Sequence, residues 1–240
     1  FTSEQIVALE AVDVAVLGSW QLQSLWSEQV VALRTEQVRA ISTQAIGGLS
    51  ENFKVLNAGQ LGALSGSQAF GLSTYQLSLL LSGQLQSLTK EAIGGFGTTQ
   101  VSGLSTDAVL SLSSVQVAAF GTHHVSNLRS EQLRAFTSEQ IVALETVDVA
   151  VLGSWQLQSL WSEQVVALRT EQVRSLTTGQ LLGFSGQIGA LETRDVASMT
   201  TTQVNRLSTL VIRQLTSNQV AALGTEQVRN LTSGQLVALS

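Results

Sequence analysis

The sequence predicts an all-α solenoid with one short capped helix per eight-residue repeat. Three observations carry this reading. There is a fixed period of eight, the apolar residues inside each period are spaced five and then three apart, and a Ser or Thr near the start of each period can cap a helix. The pattern is plain in Phe1-Thr-Ser-Glu-Gln-Ile-Val-Ala, in Leu25-Trp-Ser-Glu-Gln-Val-Val-Ala and in Leu33-Arg-Thr-Glu-Gln-Val-Arg-Ala.

With the large apolar residue numbered position 1, Leu9, Leu17, Leu25, Leu33, Ile41 and Leu49 open successive units. Two units, Leu49 to Val55 and Phe184 to Ala190, are one residue short, so 28 units of eight and two of seven fill residues 1–238. Ser or Thr occupies position 3 in 24 of the 30 units and Gln occupies position 5 in 20, which makes these the two polar positions that need a physical explanation. Residues 1–39 recur at 136–174 with a single change, Ala11 to Thr146. Residues 1–240 therefore read as one continuous array grown by block copying, a window of a longer tract whose ends are not natural ends.

Each unit predicts its own helix. The five-and-three spacing fails the alternation of a strand, while Glu, Gln, Ala, Leu and Arg favour helix. A continuous helix fails too, because eight residues at about 100° each advance two turns plus about 80°, winding the Leu stripe around the helix. The position 3 hydroxyl supplies the interruption as an N-cap. Where position 2 is also Ser or Thr, as in Thr2-Ser3-Glu4-Gln5, the Ser/Thr-x-x-Gln spacing of a capping box leaves the cap register open by one residue. Acidic residues at position 4 (Glu4, Glu28, Glu36, Glu131, Glu163, Glu226) suit the first turn. Four Glu/Arg pairs at i, i+3 add support: Glu36 with Arg39, Glu131 with Arg134, Glu171 with Arg174, and Glu226 with Arg229. Helices this short are marginal alone, so packing must hold them. Positions 1 and 6 are the predicted interior, and small residues at position 8 (Ala8, Ala32, Gly48, Gly71, Ala143, Gly183) allow close approach. The spacing leaves open how many helices complete one coil, and its hand.

Gln at position 5 is the most distinctive polar feature. A solvent-facing position would tolerate Lys and Glu, yet this one holds almost none, which predicts a structural polar ladder of Gln5, Gln29, Gln37, Gln140, Gln164 and Gln172 bonded to backbone groups freed at the helix breaks. Asp13, Asp148, Asp195 and His124 are the polar substitutes there.

Composition narrows the chemistry. The net charge of −5 offers no basic face for nucleic acid, and no run of 18 apolar residues exists to span a membrane. Cys and Pro are absent, which removes thiol nucleophiles and Cys-based zinc sites. His123 and His124 are adjacent and diverge on a helix, so they do not share a metal ion. Gly47-Gly48, Gly94-Gly95 and Gly186 match no phosphate loop. The expectation is no catalytic residue, no metal and no cofactor. Trp20, Trp26, Trp155 and Trp161 are two copies of one Trp pair at positions 4 and 2. They are expected to fill a groove or a lateral contact between coils, and are the candidates for contacts with a partner.

The stretch Leu215 to Leu223, Leu-Thr-Ser-Asn-Gln-Val-Ala-Ala-Leu, resembles the helix start of TAL effector repeats, Leu-Thr-Pro-Glu-Gln-Val, although those units are far longer and carry Pro where this stretch has Ser217. More broadly, all thirty units resemble the short-period Leu-Thr-Thr-x-Gln-Val-x-Ala-Leu arrays of very large bacterial proteins, often exported or surface-associated. That resemblance implies an extracellular or cell-surface location. The expected function is a non-enzymatic rod, spacer or self-associating fibre. The alternative is a binding solenoid that recognises a protein or glycan through its variable positions, with nucleic acid a distant third.

Overall fold

A helix starts at position 3 of nearly every repeat and ends between positions 6 and 8, because positions 1 and 2 are extended. Thr35–Ala40 shows the pattern. Leu33 closes the preceding helix at φ −57°, ψ 131°, and Arg34 caps the next at φ −75°, ψ 158°. The chain turns on these two residues, so the apolar register is reset before the helical phase error accumulates. The computed structural model describes residues 1–184 and 186–239, and among them every regular element is helical. No described helix is long and apolar enough to cross a membrane.

The chain forms two units, Phe1–Asn127 and Leu128–Ser240. In the first, each helix packs against the third one further along: Ser3–Ala8 on Ser27–Ala32, Ala11–Ala15 on Thr35–Ala40, and Gly66–Phe70 on Lys90–Gly94. The second follows the same rule, with Ser130–Ala135 on Ser154–Gln158, Thr146–Val149 on Thr170–Ser175, and Thr209–Ile212 on Ser233–Ala238. Glutamine side chains reach 27 to 31 residues back to the preceding coil, so one coil takes between three and four repeats.

The interior is built from the two predicted apolar positions. Position 6 supplies Val30, Val38, Leu61, Val101 and Val117 in the first unit and Leu157, Val165, Val173 and Val204 in the second, all fully buried. Position 1 supplies Leu33, Ile41, Phe96, Phe136, Leu144 and Leu168 beside them. Burying such a side chain contributes about 1.5–3 kcal/mol, which helices of four to six residues cannot obtain alone. Position 8 is where coils touch backbone to backbone. A Cβ added at Gly95 would lie 2.2 Å from the Gly66 carbonyl oxygen, and one at Gly183 would lie 2.4 Å from that of Ser154.

The cap register resolves to position 2, which corrects the assignment of the cap to position 3. Thr2, Ser65, Ser73, Thr137, Thr177 and Thr216 accept from the backbone N–H three residues on, and all are extended. The position 3 residue is already helical and cannot adopt the cap conformation. Its hydroxyl instead reaches about 25 residues ahead, as when Ser27 Oγ donates to Asn52 Oδ1 at 2.9 Å.

The two seven-residue units are local defects. Residues Ile46–Val55 form 3₁₀ turns that kink at Ser50, whose φ of 45° and ψ of −126° are strained for a residue with a side chain. In the second short unit 3₁₀ turns cover Leu182–Phe184 and Ile188–Ala190, and Gly186 takes the positive φ of 99° without a Cβ to hinder it. In both short units 3₁₀ turns stand where the other repeats have α-helix, and a residue of positive φ, Ser50 or Gly186, lies near the start of the unit.

Candidate functional site

The most extended polar arrangement in the molecule is the row of position 5 glutamines. A complete rung uses both ends of the amide. Gln37 Oε1 accepts the backbone N–H of Arg34 at 2.8 Å, while Nε2 donates to the carbonyls of Ile6 and Leu9, both at 2.8 Å. Gln100 accepts from Gly97 at 2.6 Å and donates to Ala69 and Leu72 at 2.8 and 2.6 Å. In the second unit Gln164 joins the Trp161 N–H to the carbonyls of Leu133 and Phe136, and Gln172 joins that of Arg169 to Ile141 and Leu144. A full rung therefore closes the start of its own helix, takes up the position 1 carbonyl that the break in the preceding coil leaves without a helical donor, and shares the position 6 carbonyl with the backbone N–H that closes that helix.

The glutamine half of the capping box works whatever residue 2 is. Gly97, Trp161 and Arg169 offer no capping side chain, yet their N–H groups are held by Gln100, Gln164 and Gln172. This explains why position 5 is more restricted than position 2.

The predicted ladder residues fall into three situations. Gln37, Gln164 and Gln172 are buried and make the full set of bonds just given. Gln140 is buried and accepts from Thr137 N–H at 2.8 Å. Gln5 is exposed and accepts from Thr2 N–H at 2.8 Å, whereas half-buried Gln29 accepts from Trp26 N–H and donates to the Phe1 carbonyl. The short units carry rungs that the period-eight reading missed. Asn52 Nδ2 donates to the Leu25 carbonyl at 2.7 Å, and Gln187 Nε2 donates to that of Leu160. An amide three residues after the opening apolar residue was the available signal for both.

Substitutes for Gln keep part of its chemistry. His124 is fully buried; its Nδ1 accepts from Gly121 N–H at 3.1 Å and its Nε2 lies 2.6 Å from the Phe96 carbonyl, so a neutral imidazole protonated on Nε2 reproduces both halves of a rung. Asp13 Oδ2 accepts from Glu10 N–H at 2.9 Å. Asp148 and Asp195 are buried.

The tryptophans are a correction. Trp20, Trp26, Trp155 and Trp161 are 73, 74, 54 and 54% exposed, so they do not fill a groove between coils. Positions 2 and 4 point outward because 1, 5 and 6 face inward. One lateral contact is made: the Arg134 guanidinium lies 4.9 Å from the Trp161 ring centroid, and Arg134 Nε donates to the Ser159 carbonyl at 2.8 Å. This use of Arg134 also bears on the expected i, i+3 ion pairs. Glu226 and Arg229 pair at 2.7 Å, but Glu131 pairs with Arg129 at 3.1 Å and Glu36 with Arg34 at 3.0 Å. The arginine at the cap is nearer the first-turn glutamate than the one a turn later.

Among the described residues no group of three or more His, Asp or Glu side chains is placed to hold a metal ion.

Short capped helices tied coil to coil by side-chain amides define an all-α solenoid of tandem repeats. The chain belongs to the ALTTAQ repeat family, which matches residues 6–43, 141–178, 188–223 and 212–240, together more than half of it. No curated protein matches the chain.

Proposed function

We propose that this array is a non-enzymatic structural element, a spacer or fibre-forming segment of a bacterial surface protein in which the repeat itself is what is used. The observation that carries the reading is the glutamine rung: the recurrent polar side chain is spent on joining each coil to the one before. Its donors and acceptors are consumed by backbone, leaving the conserved chemistry of the repeat directed along the array. Near-identical duplication of 39 residues fits a role in which repeat number matters more than any single position. Electron microscopy of the purified chain over a range of concentrations tests this. Long fibres, or particles whose length grows in proportion when the array is duplicated, are expected. Particles whose length ignores repeat number contradict it.

A second reading, a binding solenoid for a protein or glycan, is favoured by one observation. Both copies of the duplicated block present a pair of exposed tryptophans. A ligand stacked on these rings would shift their fluorescence, and the Trp20→Ala and Trp155→Ala changes would abolish the shift.

A further inference from the structure

The rung at residue 195 is the one place in the second unit where the described ladder carries a carboxyl group whose second oxygen is orphaned. Asp195 is completely buried. Its Oδ1 accepts from the Thr170 hydroxyl at 2.7 Å, and its Oδ2 has no hydrogen-bond partner. The flanking rungs fix what it should meet. Gln187 donates to the Leu160 carbonyl and Gln203 to that of Leu176, each 27 residues back, and Gln203 also reaches Val173, 30 back. The same offsets from residue 195 lead to the carbonyls of Leu168 and Val165. A carboxylate brings only lone pairs to two carbonyl oxygens, whereas a carboxylic acid brings the donor that a rung requires.

We infer that Asp195 is carried as a neutral carboxylic acid whose Oδ2–H is the donor of its rung, making this joint of the solenoid a proton-dependent one. The surrounding charges do not provide an alternative. Arg194, on the same helix, is exposed, lies 3.9 Å from Oδ1 and is held at 2.6 Å by Glu192. Helix Thr170–Ser175, which packs against it, presents the Thr170 hydroxyl, while its Glu171 and Arg174 are exposed. Helix Ser217–Ala221 on the other side carries no titratable residue. Burial pushes the carboxyl above the usual range and outweighs the Thr170 hydroxyl, Arg194 and the Glu192 backbone N–H, which oppose it, while the Glu192 carboxylate adds to the rise. His124 obeys the same rule in the first unit, where only the neutral ring can both accept from Gly121 and donate to Phe96. Because the folded state holds this proton more tightly than the unfolded chain, the joint is most stable in acid and weakens as pH rises through the raised value.

The test compares the full chain with its Asp195→Asn variant, whose amide keeps a donor at every pH. Thermal unfolding is followed from about pH 5 to about pH 8 at constant ionic strength. The variant should melt about 2–4 °C above the native chain at the alkaline end, with the gap closing toward acid. A gap independent of pH, or a less stable variant at the alkaline end, overturns the inference. Infrared difference spectra give a second readout on the native protein: a protonated-carboxyl C=O stretch at neutral pH that the variant lacks is expected, and its absence in the native chain overturns the assignment. Sodium-specific stabilisation of the native chain at the alkaline end would place a cation there instead of a proton, and overturns it as well.

Discussion

Replacing Gln100 by Glu isolates what a rung contributes. The substitution is nearly isosteric and keeps the oxygen that accepts the Gly97 N–H, but it exchanges the donor for an acceptor facing the Ala69 and Leu72 carbonyls, now 2.8 and 2.6 Å from Nε2. Two inter-coil hydrogen bonds are lost, each contributing about 0.5–1.5 kcal/mol net, and the Leu72 carbonyl is left buried without its donor at a further cost of about 1–3 kcal/mol. The expected destabilisation is about 3–5 kcal/mol, lowering Tm by roughly 10 °C at neutral pH. The site is 6% exposed, so the introduced carboxyl resists ionisation and its pKa rises above the usual value. The lost stability should therefore return as the solution is acidified and the carboxyl regains a donor. Gln100→Met, which removes both functions, should be destabilised with no such recovery. The assay is thermal unfolding by circular dichroism across pH. A Gln100→Glu variant that melts with the native chain at neutral pH would refute the reasoning.

Other consequences concern titration and backbone. Burial holds the His124 imidazole below its usual pKa, against the opposing bond to the Phe96 carbonyl and with His123 pushing the same way. The unfolded chain thus takes up the proton first, and His124 costs stability as pH falls through about 6.5; His124→Gln should flatten that part of the stability profile in a calorimetric pH series. Gly95→Ala drives a Cβ to 2.2 Å from the Gly66 carbonyl and should cost about 1–3 kcal/mol, whereas Gly83→Ala meets nothing within 4 Å and should be neutral or stabilising, both read from denaturant midpoints. Ser50→Gly relieves a φ of 45° and should raise Tm by a few degrees, and a lower Tm would remove the claim that this residue is strained.

The period, helical class, interior positions and inward use of Gln were legible because each rests on chemistry local to one repeat. A five-and-three apolar spacing is compatible with helix and not strand, and a position that rejects Lys and Glu announces a desolvated amide. The cap register was ambiguous because Thr2 and Ser3 are both able caps; it was decided by which residue is extended, a consequence of where the preceding Leu is buried. The number of repeats per coil depends on the dihedral angles of two extended residues, which Leu-Arg, Leu-Thr and Leu-Gly adopt equally well, so no residue type marks it. Groove filling by the tryptophans was misread because ring size suggested a gap to fill, whereas their positions 2 and 4 face solvent; the lateral contact was the part of the expectation that Trp161 meets through Arg134.

Side-chain amide hydrogen exchange, read from the glutamine Nε2 signals of the isotopically labelled chain, tests the ladder most directly. Buried rungs such as Gln37, Gln60, Gln100, Gln116 and Gln172, whose Nε2 groups each donate to two or more carbonyls, should exchange slowly, while exposed Gln5 and Gln23 exchange at the rate of a free amide. Uniformly rapid exchange across all of them would contradict the account that glutamine joins one coil to the next.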